Sequence, residues 1–170
     1  MDTSASSPQY LTVIQPRVWT ENRHYRLYVL PQELVFVWAG NAADISRVIM
    51  MAQGGLVGGL LAAATHPRRK NVTRAEELES KPLDELRGDH KHNFVLHADE
   101  LSSARLVKAG FWFKVNFSTV RQSGLLRVKP HQGKELTFAI CKKDDVRTAA
   151  ACLPPVLGPK LSVEIALPLK

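Results

Sequence analysis

Leu125-Leu126-Arg127-Val128-Lys129-Pro130-His131-Gln132-Gly133-Lys134-Glu135-Leu136-Thr137-Phe138-Ala139-Ile140 carries the pattern on which the fold turns. Leu125 to Val128 and Glu135 to Ile140 are apolar-rich and β-prone, and His131-Gln132-Gly133 supplies the turn between them, which predicts two short strands in a hairpin. Working back along the chain, Phe94-Val95-Leu96, Ala104 to Val107 and Phe111 to Phe117 repeat the two-residue period, with Gly110 and Ser123-Gly124 as breaks. Working forward, Asp144-Asp145 opens a helix that places Val146, Ala149, Ala150 and Leu153 on one face, and Pro154-Pro155 is expected to end it. Leu161, Val163, Ile165 and Leu167 then alternate with Ser162, Glu164 and Ala166, the signature of one more strand.

The first half of the chain predicts further strands. Tyr10 to Ile14 is β-prone, and Tyr25, Leu27 and Val29 alternate with polar neighbours between His24 and Leu30. Pro31-Gln32 separates that run from Leu34-Val35-Phe36-Val37-Trp38, which is apolar on both faces and therefore expected to be covered on both. Asn41-Ala42-Ala43-Asp44 then resembles a helix start. The segment it opens, Ile45 to Ala64, contains Gly54, Gly55, Gly58 and Gly59, which would cost a helix about 3 to 4 kcal/mol relative to alanine. Close packing would offset that cost, because Gly55, Gly59 and Ala63 recur every fourth residue, as do Gly54, Gly58 and Ala62. Thr73 to Arg87 predicts two short charged helices broken at Lys81-Pro82.

This order, an antiparallel meander closed by a C-terminal helix, resembles the pleckstrin-homology-like superfold, especially its GRAM and bacterial PH-like members. Leu96 to Leu106, Leu125 to Val128, Glu135 to Ile140 and Asp144 to Leu153 carry the resemblance, which extends over His24 to Trp38 and Asn93 to Leu153. It leaves residues 41–92 as a helical insertion that such domains do not usually have. The expectation is a single α+β domain over residues 1–170: a flexible tail at 1–9, the Gly-rich insertion, then a PH-like barrel or sandwich with its capping helix and final strand over 93–170. The resemblance implies binding of lipid headgroups, peptides or partner proteins without chemistry.

Charge narrows the surface. Arg105, Lys108, Lys114, Arg121, Arg127, Lys129 and Lys134 fall between residues 104 and 134 with no acid among them, matching the net charge of +7 for the whole chain. Alternation puts Arg127 and Lys129 on one face, and Lys114 opposite Phe111, Phe113, Val115 and Phe117, so the sheet is expected to present a cationic outer side to anionic groups. Arg68, Arg69 and Lys70 follow the Gly-rich segment, in which Val48 to Ala64 is about 17 residues, roughly 25 Å of helix against the 20 or so residues that a bilayer core needs. Packing on the protein's own sheet, embedding in a membrane and self-association all remain open for Gly54, Gly55, Gly58 and Gly59.

Chemistry is not expected. The Gly54 to Gly59 run lacks the spacing of a phosphate-binding loop, and no nucleophile elbow occurs. Cys141 and Cys152 are too few for a disulfide framework and read as packing thiols, and no cofactor is expected. Asp89, His90, His92 and His97 are near in sequence, but in a strand His97 points away from the other two histidines, and no metal site is expected. Met1 to Pro8 has neither a basic start nor an apolar run, which favours the cytoplasm, including a place peripheral to a membrane, over secretion. An anionic lipid surface or a protein is the expected partner, and nucleic acid the least favoured one, since Trp112 alone stands exposed among the basic residues.

Overall fold

The computed structural model describes residues 10–17, 22–41, 74, 77–110 and 122–166. The Gly-rich segment with Gly54, Gly55, Gly58 and Gly59, the cluster Arg68, Arg69 and Lys70, and Lys114 with its predicted strand all lie outside them.

Among the described residues, eight strands form one curled sheet in the order β4-β3-β2-β1-β7-β6-β5-β8, a half-barrel closed by one main helix. The first four strands pair in chain order: β1 (Tyr10–Gln15), β2 (Arg23–Leu30), β3 (Glu33–Asn41) and β4 (Phe94–His97). β5 (Leu101–Val107), β6 (Gly124–Pro130) and β7 (Leu136–Ile140) make a second meander, joined to the first where Val13 meets Ile140 and Ile14 meets Ala139. β2 and β3 form the predicted hairpin around Pro31-Gln32, with a register shift between His24 and Tyr25.

Alternation decides which side chains enter the barrel. Leu11, Val13, Tyr25, Leu27, Leu34, Phe36, Leu106, Leu126, Val128, Phe138 and Ile140 point inward and are buried. The rings interlock: Phe36 stacks on Phe94 and on Phe138, each at 4.5 Å, and Tyr25 meets all three edge-on. The helix α2 (Lys143–Leu157) lays Val146, Ala149, Leu153 and Leu157 over this core at three- and four-residue spacing.

Because β3 is apolar on both sides, it needs a second cover. Residues 77–80, in helical conformation, and α1 (Leu83–Gly88) provide it: Leu78 and Leu86 bury against Tyr28, Val35 and Val37 on the outer face. The break at Lys81-Pro82 separates the two turns as predicted. Arg26 ties the first turn down through the Leu78 carbonyl (3.0 Å) and Glu79, and Arg87 of the second pairs with Glu33.

Two expectations are corrected. Pro154-Pro155 does not end α2; the helix runs on to Leu157, and Gly158 N–H caps it by donating to the Pro154 carbonyl. Each proline forfeits one backbone hydrogen bond, but Leu157 is 3% exposed, and its burial holds the last turn. The final strand β8 (Leu161–Glu164) also departs from the meander: it lies parallel to β5 at the edge of the sheet, its residues 162–164 are exposed, and Ile165 is buried just beyond it.

Candidate functional site

Two cationic regions occur among the described residues. The first is the predicted outer face of β5 and β6. Arg105 stands directly opposite Arg127, and Lys129 opposite Ser103, so the three cations share one side. Glu135, one residue past the basic stretch, reaches both arginines, at 3.4 Å from Arg105 and 3.9 Å from Arg127. The face is therefore of mixed charge, with Lys129 exposed beside a shared ion pair.

The second region has no dense basic run in the sequence. It forms where β1 ends, β2 begins, β3 ends and the chain approaches β4. The Arg17 N–H donates to Asn22 Oδ1 (3.0 Å), which brings the end of β1 close to the start of β2. Burial raises the Tyr25 phenol, and the nearby charge of Arg23, the first residue of β2, works in the opposite direction. His90 stacks on Trp38 at 4.1 Å, His92 meets the same indole edge-on at 6.0 Å, and the His92 N–H donates to His90 Nδ1 (3.2 Å).

Electrostatics shows how closely these groups crowd. His90 is held below its ordinary value first by burial and then by the positive charges of Arg74, Lys91 and Arg23, against a smaller opposing pull from Asp89. His92 is lowered by burial and then by Arg23, His90, Lys91 and Arg17. Arg17 and Lys91 are exposed, and Arg23, His90 and His92 half-buried, so this pole faces water.

Asp89, whose charge acts on His90, is already engaged. Arg74, 8% exposed, forms a bidentate pair with Asp89 at 2.7 and 3.2 Å, binds Glu77 at 3.0 Å and donates Nε to the Trp38 carbonyl at 3.1 Å. Burial works to raise the Asp89 carboxyl, but the hydrogen bonds and charge of Arg74 outweigh it and hold the group below its usual range. Asn93 completes the clamp, accepting the Trp38 N–H at Oδ1 (2.8 Å) and donating Nδ2 to Asp89 and to the Leu86 carbonyl. Asn41, the last residue of β3, and Arg74, bonded to the Trp38 carbonyl, thus lie within the same pole.

The sequence cluster of Asp89, His90, His92 and His97 divides accordingly. Asp89 serves Arg74, His90 and His92 join the pole, and His97 lies at the far end of β4 with Nδ1 3.8 Å from Glu33 Oε2. Among the described residues no group of three His, Cys, Asp or Glu could hold a metal ion, and no helix is long and apolar enough to cross a membrane. Burial pushes the Cys141 thiol up to about 11 and raises Cys152 as well, so neither is a ready nucleophile. The two cationic regions are separate: Ala98 N–H donates to the Gln32 carbonyl and His131 N–H to that of Glu100, which puts the β6–β7 turn near the β2–β3 turn, away from Arg23 and Asn41. Comparison with family models, curated proteins and solved structures finds no match for this chain.

Proposed function

We propose that the protein is a non-enzymatic binding module that associates with anionic membrane surfaces through the pole formed by Arg17, Arg23, His90, Lys91 and His92. The observation that carries this reading is the crowding of cations around Asn41 and Arg74, the described residues that bracket residues 42–73 in sequence. Residues 42–73 include the apolar Gly-rich stretch and Arg68, Arg69 and Lys70. An apolar segment rooted among cations suits an interface in which apolar groups enter the headgroup layer and positive charges meet phosphates. A PH-like barrel is the scaffold this reading favours, supported by the curled half-barrel sheet and the C-terminal helix over its core. The outer face of β5 and β6 is secondary, because Glu135 offsets part of its charge.

Vesicle co-sedimentation tests the proposal. The protein should pellet with phosphatidylserine-containing vesicles at low ionic strength, should stay in solution with purely zwitterionic ones, and should be released as the Debye length contracts to about 3 Å near 1 M salt. Each cation near such a surface contributes about 1 kcal/mol, so Arg17→Glu with Lys91→Glu should lower binding by at least roughly tenfold. No binding to anionic vesicles at low salt would overturn the reading.

A further inference from the structure

β8 is unlike the rest of the sheet. Every other strand pairing is antiparallel, whereas β8 lies parallel to β5, with Leu161 opposite Ala104 and Glu164 opposite Val107. Ser162, Val163 and Glu164 are exposed, Val163 at 41%. The strand is instead fastened at its two ends. Before it, Lys160 Nζ donates to the main-chain carbonyls of Ala98 (2.8 Å) and Asp99 (3.4 Å). After it, Ile165 is 8% exposed, with its Cδ1 over Gly124. A Cβ on Gly124 would come within 3.0 Å of that methyl and 3.1 Å of Val146 Cγ2, so the missing side chain is a notch that Ile165 fills.

From this we infer that the β5 edge is an acceptor site for an extended segment of a partner protein, and that residues 160–165 occupy it as a built-in stand-in. The stand-in gives the chemistry of the partner segment: a cation for the Ala98 and Asp99 carbonyls, an apolar side chain five residues later for the Gly124 notch, and small or polar residues between them. Main-chain hydrogen bonds along β5 supply affinity for any extended chain, while the two anchors select the sequence. A four-residue edge strand with three exposed side chains is held by those two anchors and its main-chain pairing alone, so removing one anchor opens it at lower cost than any strand inside the sheet. While it is closed, its tethered effective concentration, on the order of millimolar, competes with any incoming segment. β8 is therefore also an autoinhibitory strand. The inference stands on β5, Gly124 and residues 160–165 alone and is independent of the cationic pole.

The test uses the full chain and a fluorescent peptide with the sequence of residues 158–170. Ile165→Asp in the protein should empty the notch, and the peptide should then bind by anisotropy at least about tenfold more tightly than to the unaltered protein. The same peptide carrying Ile165→Asp should bind neither protein. Should the protein variant lose cooperative unfolding, Lys160→Ala, which removes only the bonds to Ala98 and Asp99, is read in the same way. Equal affinity for the variant and unaltered proteins, or peptide binding indifferent to its isoleucine, would overturn the inference and leave β8 a fixed edge strand.

Discussion

His24 occupies the outer side of β2 opposite Ile14, is 6% exposed, and finds no hydrogen-bond partner for either ring nitrogen among the described residues. Burial pushes it down to about 4 from its ordinary 6.5. The unfolded chain therefore binds the proton more readily than the folded one between those values. The neutral ring's stability is fully present above pH 6.5 and is lost as pH falls toward 4, a loss of up to about 3 kcal/mol. Urea titrations across that window should show the decline, and His24→Leu should flatten it, since an apolar group of similar size removes a buried polar atom that has no partner. An unchanged slope in the variant would assign the acid sensitivity elsewhere. Arg74 makes the opposite case, because its value lies in its partners. Arg74→Ala would strip Asp89 of its bidentate partner, leaving it Asn93 and the more distant Lys81, and should cost about 1 to 3 kcal/mol in chemical denaturation.

Among the elements, α2 shows where local sequence rules fail. Leu153→Ala and Leu157→Ala should each destabilise by about 2 to 4 kcal/mol, whereas Val156→Ala, only half-buried, should cost less; equal effects would mean that the turn beyond the prolines is not anchored by Leu157. Proline signals a stop because it lacks an N–H, and that much is legible from Pro154-Pro155. The burial of Leu157 depends on β5 and on the turn at Gly158, which are distant or irregular in sequence, so the continuation is not legible. The β2–β3 hairpin and the β5–β6–β7 meander were legible because a two-residue period records one-sided burial directly. The two-sided burial of Leu34 to Val37 also announced an outer layer, now seen as residues 77–80 and α1. For β8 the alternation of Leu161, Val163 and Ile165 promised a half-buried strand, but an edge position leaves Val163 in water.

At the scale of the whole molecule, one layer of curled sheet carries a core on its inner side under α2, a smaller apolar layer under α1, and charge at two separate places. The cationic face was legible as Arg105, Arg127 and Lys129 because they fall within one basic stretch; its partial neutralisation was missed because Glu135 lies just outside that stretch. The pole was not legible, since Arg17 and Arg23 flank the β1–β2 connection while Lys91 precedes β4, and only folding brings them together. The one local hint was His90-Lys91-His92 ahead of β4. The central claim is that this pole awaits an anionic surface. It is tested most directly by following the His90 and His92 imidazoles by NMR as pH is varied, with and without phosphatidylserine-containing nanodiscs. Phosphates among the cations would favour the charged rings, so both midpoints should rise from their depressed positions on anionic discs and stay put on zwitterionic ones. Midpoints that are the same on both kinds of disc as in free solution would contradict it.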